Sequence, residues 1–183
     1  MRPAIVSAGP SAALYSKDNF QDRFVIAVNR AAFLVKPHWI VAGDAETVIE
    51  LYEAKRPPIA GICTLSASVD RILSACPFWK SFKVITWGTL PGHGLHWCRK
   101  HEAEGYSLTA AACLCAHFGH RTADLFGHDA VPGPGCIGDV PPTADRGADR
   151  WRRESNELSA ACTAAGITLY RHHPSQPTTT IPG

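Results

Sequence analysis

Two short stretches of this chain end in groups suited to moving protons or holding an anion. His128-Asp129 joins an imidazole, which titrates near neutrality, to a carboxylate, the pairing a general base or acid needs. Asp44-Ala45-Glu46 sets two carboxylates two residues apart, an arrangement that can hold Mg²⁺ or Mn²⁺ against a diphosphate. Both stretches also have plainer uses. Asp129 can close a turn with Gly127, and Asp44 can cap a helix whose first turn holds Glu46. Gly9-Pro10-Ser11 offers a tight turn with a hydroxyl and backbone N–H groups that can face an anion, and Asn29-Arg30 adds an amide and a cation. His93, His96, Cys98 and His101 carry zinc-competent atoms. Their spacing matches no standard zinc site, and a histidine loop facing an anionic ligand fits better.

These residues fall at the ends of apolar runs. Pro3–Val6 reads as a strand entering the Gly9-Pro10-Ser11 turn, Phe24–Val28 as a strand ending in Asn29-Arg30, and His38–Ala42 as one ending in Gly43-Asp44. Further strands are expected at Ile59–Cys63, Phe82–Thr86, Arg121–Phe126 and Ile167–Tyr170. Helices are expected over 45–55, 69–76, 107–118 and from Asp149 to Gly166, with Trp151 and Leu158 on the inner face of the last. Trp87 to Gly105 and Val131 to Gly147 read as loops, and the Pro/Thr-rich tail from Pro174 as disordered. Strands alternating with helices predict an α/β fold: one Rossmann-like domain over 1–175, with a mostly parallel sheet of six to seven strands flanked by helices and a flexible tail at 176–183. Ligands of such sheets collect beyond the strands' carboxyl ends, where Gly9-Pro10-Ser11, Asn29-Arg30, Gly43-Asp44 and Gly127-His128-Asp129 all fall.

The totals exclude more than they select. With 183 residues, 45% hydrophobic and 19% charged, the chain suits one soluble domain, and a net charge of +2 argues for neither nucleic acid nor membrane. Its seven cysteines form no CxxC pair and no even framework, and no signal peptide precedes the first strand, so reduced cytoplasmic thiols are expected. No apolar run approaches the ~20 residues of a membrane span. GxGxxG, GxxxxGK[ST] and GxSxG are all absent, which disfavours a dinucleotide site, a P-loop and a hydrolase elbow.

Taken together, Gly9-Pro10-Ser11, Ala27-Val28-Asn29-Arg30-Ala31, Gly43-Asp44 and the block from Ser107 to Leu125-Phe126-Gly127-His128-Asp129 resemble a known superfamily. It joins bacterial CMP-sialic acid-dependent sialyltransferases, flagellin-associated glycosyltransferase-like domains and archaeal hydroxymethylpterin pyrophosphokinases, and similar small proteins occur in bacteriophages. The resemblance spans roughly 3–175. It implies nucleotide contacts from Gly9, Pro10, Ser11 and Asn29, a cytidine phosphate near Ser107 and Thr109, and no required metal. The sequence departs from the sialyltransferase pattern after Asp129, where Ala130 and Val131 bring no tyrosine, and between Pro132 and Trp151, where there is no histidine.

The resulting expectation is a nucleotide-sugar-dependent glycosyltransferase-like enzyme, its phosphate near Ser11 and Arg30, with His128 or Asp129 as base. The acceptor would be a glycan, a protein or a modified DNA base. Two alternatives stand beside it. One is a Mg²⁺-dependent pyrophosphokinase-like enzyme using Asp44 and Glu46; the other is a non-catalytic nucleotide-binding protein. The Trp-containing stretch 87–105 permits a homodimer. His172-His173 and Ser175, following the last strand, are placed to close over a ligand.

Overall fold

A computed structural model describes residues 1–15, 17–90, 106–129 and 148–183. Eight strands form a single sheet: β1 (Ala4–Val6), β2 (Val25–Val28), β3 (Trp39–Val41), β4 (Gly61–Thr64), β5 (Lys83–Thr86), β6 (Thr122–Phe126), β7 (Thr168–His173) and β8 (Gln176–Ile181). Their order is β5-β4-β3-β2-β1-β6-β7-β8, parallel throughout except for the antiparallel β7–β8 pair. The α/β reading holds. The strand count is exceeded because β7 runs on to His173 and turns back into β8. The tail expected to be disordered is therefore a strand from Gln176 to Ile181, with Gln176, Thr179, Thr180 and Ile181 paired along β7.

Strands buried on both faces read as continuous apolar runs, and β1 to β4 do so because helices cover each side. On one face α3 (Ser107–His117) and α4 (Ala148–Ala165) pack over Ile5, Ile26, Val41, Leu125 and Leu169. The other face packs Ala4, Val6, Ala27, Ile40 and Ile62 against α1 (Ala45–Glu53), α2 (Val69–Ala75) and the 3₁₀ segments after β1 and β2. Successive residues of a strand face opposite sides, so Ile5 joins the first core while its neighbours join the second.

The helix ends fix where the strands begin again. At the end of α3, Gly119 (φ +84°) sends its N–H to the Ala116 carbonyl, and the His120 N–H reaches the Cys115 carbonyl. This double bond closes the helix and releases the chain into β6. The histidine-rich segment His93, His96, Cys98 and His101, the loop 131–147 and the Trp151 side chain lie outside the described residues.

Candidate active site

The sheet has a switch point between β1 and β6. From β1 the chain winds outward through β2 to β5, whereas β6 to β8 lie on the other side. Crevices at such points take ligands in open parallel sheets. Here the loops leaving the two strands are pressed together. The Ser7 N–H donates to the Phe126 carbonyl at 2.8 Å and the Gly9 N–H to the Gly127 carbonyl at 2.9 Å. A Cβ on Gly9 would sit 2.2 Å from the Gly127 carbonyl oxygen, and Gly127 itself adopts φ +70°. Only glycine admits both the close approach and the left-handed turn.

Asp129 then clamps the crevice. Its Oδ2 accepts the Ser11 N–H at 2.7 Å and its Oδ1 accepts a short bond from the Ser11 hydroxyl. Both donors that the turn could offer an anion are thus turned to the chain's own carboxylate. His128, beside it, is 4% exposed; burial, with help from the Arg171 charge, pushes its pKa down to about 4. The ring is neutral at physiological pH and has little access to a substrate. Proximity in sequence to Asp129 gave His128 its appeal as a base, but the packing of β6's last turn takes it inward.

A second polar pair lies over the neighbouring strands. Asn29, the first residue after β2, adopts φ +52°, a left-handed conformation for which asparagine is enriched. Its Oδ1 accepts the Ser107 hydroxyl at 3.2 Å. Ser107 opens α3, so the helix's unpaired N–H groups and positive dipole end face this edge. Two residues on, Thr109 is 1% exposed, and its hydroxyl has no partner among the described residues. An unpaired buried hydroxyl is costly, and a ligand atom would relieve it.

Arg30 and Glu46 have partners elsewhere. Arg30 forms a forked pair with Glu50 of α1, at 2.9 and 3.0 Å from its two oxygens. Asp44 stands at the cap position before α1, exposed and with no side-chain hydrogen bond to the helix, and Glu46 pairs with Arg71 of α2. Hydrogen bonding by its own backbone N–H and the Arg71 charge hold the Glu46 carboxyl below its ordinary range. Among the described residues no group of three histidine, cysteine or carboxylate side chains could hold a metal ion. Of the proposed pair, Glu46 thus faces a cation already present in the chain.

Sequence reasoning missed two groups near the switch point, Tyr15 and Asp124. Tyr15, which ends the 3₁₀ segment after β1, packs edge-on against Phe126 at 4.9 Å. Its hydroxyl has no described partner, and burial together with the Asp129 charge raises its pKa. Asp124, in mid-β6, accepts Arg23 at 2.5 Å, His172 at 2.9 Å and Arg2 at 3.0 Å. The signal for Asp124 was an acid inside an apolar strand, which has to find cations. His173, which the sequence placed to close over a ligand, sets its Nε2 3.8 Å from Asp129 Oδ1. An open groove of about 510 Å³ lies elsewhere, at the strands' amino-terminal edge among Arg23, Phe24, Lys36 and His38, and none of the expected site residues lines it.

No helix among the described residues is long and apolar enough to cross a membrane. No protein-family model matches the chain, and no curated protein matches its sequence. Its fold is similar to solved structures of one enzyme. One is the sialyltransferase CstII from Campylobacter jejuni in complex with a substrate analogue, CMP-3FNeuAc: 12% identity, TM-score 0.60, covering 96% of this chain and 83% of that one. Another is the same enzyme with a trisaccharide acceptor and CMP, at 14% identity and TM-score 0.60, covering 96% and 82%. At these identities the likeness is one of fold.

Proposed function

We propose that this chain is a glycosyltransferase-like enzyme whose donor is a nucleotide sugar, of the cytidine monophosphate type rather than a diphosphate. The observation that carries the reading is the amino end of α3. There Ser107 is tied to the left-handed Asn29, and the buried Thr109 hydroxyl lacks a partner. A phosphate set against this helix end receives several N–H donors and a favourable dipole. As the sugar–phosphate bond breaks, the electron pair moves onto the phosphate oxygen, and those fixed donors stabilise the growing charge. The fold's likeness to an enzyme solved with CMP and with a CMP-sugar analogue supports the cytidine choice. Ser11 has a different part in this reading: tied to Asp129, it shapes the floor of the crevice instead of holding the phosphate.

A thermal-shift panel with CMP, UDP, GDP and ATP, each with Mg²⁺ and with EDTA, tests this. Stabilisation by CMP in both conditions is expected, about 2.7 kcal/mol at a hundredfold excess over its dissociation constant. A shift with ATP only when Mg²⁺ is present would instead favour pyrophosphoryl transfer through Asp44 and Glu46. A second reading, a nucleotide-binding protein without turnover, draws on the burial of His128 and the pairing of Arg30. Nucleotide binding with no release of CMP from a donor, whether offered a glycan, a protein or a modified DNA base, would favour it.

A further inference from the structure

We infer that His173, at the carboxyl end of β7, is the side chain that takes the acceptor's proton, with Asp129 positioning it; the inference rests on the donor reading above. β7 is parallel to β6, so its end opens on the same edge as Gly127-His128-Asp129. His172 turns to Asp124, stacked on Phe126 at 4.9 Å, and His173, past the irregularity that β7 carries between Arg171 and His173, turns to Asp129. The ring of His173 is 27% exposed, against 6% for the Asp129 side chain, so it can meet solvent and substrate.

Its two nitrogens are differentiated. Nε2 faces the carboxylate, while Nδ1 accepts from the Ser175 hydroxyl at 3.1 Å and the Ser175 N–H at 3.3 Å. That assigns the proton of the neutral ring to Nε2 and leaves the Nδ1 lone pair as the basic atom. Ser175 occupies the hairpin turn between β7 and β8 and is exposed, so its hydroxyl presents to Nδ1 what an acceptor hydroxyl would present.

In the transfer, the acceptor O–H bond breaks and its proton passes to Nδ1. The acceptor oxygen bonds to the anomeric carbon, and the bond to phosphate breaks with its electron pair leaving on CMP. The resulting imidazolium faces Asp129, which stabilises it, then returns the proton to solvent. Arg171, two residues back along β7 and close enough to act on His128, and any positive charge on His128 oppose that imidazolium; Asp129 favours it. His128 itself, buried and neutral, cannot take this role.

The test uses the full chain with CMP-sialic acid as probe and water as acceptor, reading CMP release above the uncatalysed rate from pH 5 to 9. CMP affinity is measured in parallel by calorimetry. H173Q is expected to lower kcat by 10² to 10⁴-fold, the usual worth of a general base, with KM and CMP affinity kept and the acid limb of the pH profile gone. H117Q, on the exposed end of α3, is the control and should match the wild type within twofold. D129N should lower kcat less than H173Q does while its CMP affinity stays; because Asp129 also holds Ser11, H173Q is the variant that decides. Retained turnover and an intact acid limb in H173Q, with CMP still bound, would overturn the role of His173 and leave the donor reading standing. Absence of CMP binding in the wild type would overturn the donor reading first, and this inference with it. CMP binding without any release from the donor would overturn this inference and favour the reading without turnover.

Discussion

The two sides of the switch point are built differently. Toward β5, the sheet carries apolar side chains under α1 and α2, and the charges sit outside: Arg30 with Glu50, Glu46 with Arg71. Toward β8, charge enters the sheet. Asp124 is 6% exposed in mid-strand and gathers Arg23, Arg2 and His172, while His128 is buried and neutral a few residues later. Surface pairs cost little to lose, whereas buried charges must be answered completely. The β6–β8 side therefore depends on a few polar contacts, and it is also the side that supplies Asp129 and His173.

The largest test of this contrast is D124A. It leaves the Arg23 guanidinium, itself mostly buried, without its partner; breaking a buried pair this way costs about 3–5 kcal/mol. Denaturant melts should show that loss with an unchanged m-value. A loss below about 1 kcal/mol would mean that the network behaves like a surface pair. Asp124 also shapes the acid limb. Burial opposes its ionisation, but hydrogen bonds from His172 and Arg23 win and hold its carboxyl below the ordinary range. Its contribution is present above the unfolded carboxylate pKa and disappears as pH falls through the lower folded value.

His128 gives the next effect, in a separate pH window. Its folded pKa of about 4 lies below the imidazole's ordinary 6.5, so the unfolded chain binds the proton more readily. Stability is full above pH 6.5 and falls as the pH drops toward 4, by about 3 kcal/mol at one pKa unit per 1.4 kcal/mol. Melts of H128N should lose this slope between pH 6.5 and 4 and keep the lower Asp124 limb. An unchanged slope would place the titrating group elsewhere.

The legible parts of this molecule were those governed by period and composition. β1 to β4 announced themselves as unbroken apolar runs because they are buried on both faces, and the polar strand endings do fall at the carboxyl ends of the strands. Contacts between distant segments were not legible. Nothing local to Ser11 shows that Asp129, 118 residues away, will claim its N–H and hydroxyl. Nothing beside Arg30 shows that Glu50 will take it. β8 was hidden for a different reason: Pro, Thr and Gln read as coil, and only pairing with β7 makes that stretch a strand. The burial that separates His128 from His173 is a property of the packed chain.

A smaller effect is expected at Thr109. Its buried hydroxyl has no described partner, so T109V keeps the shape and removes an unsatisfied group. Stability should rise by about 1 kcal/mol, within the 1–3 kcal/mol such groups cost. CMP affinity should fall about tenfold, the equivalent of one hydrogen bond worth 1.4 kcal/mol. A gain in stability with undiminished affinity would show that the hydroxyl is idle in the complex.

The smallest effect separates the two sides most cleanly. Arg30 follows Asn29 directly and pairs through both Nε and an NH2 group with Glu50, whose side chain is 43% exposed. Forked geometry favours the pair, but water screens the carboxylate and competes for its oxygens. R30A should therefore cost about 0.2–1 kcal/mol, and less at high salt. If it also leaves CMP affinity unchanged, Arg30 is a brace between the β2 end and α1, and the phosphate is held by α3 alone. A tenfold loss of affinity with the same small stability change would mean that Arg30 leaves Glu50 for the ligand. The β2–β5 side would then contribute a charge to the site, and the contrast across the switch point would be one of resting state only.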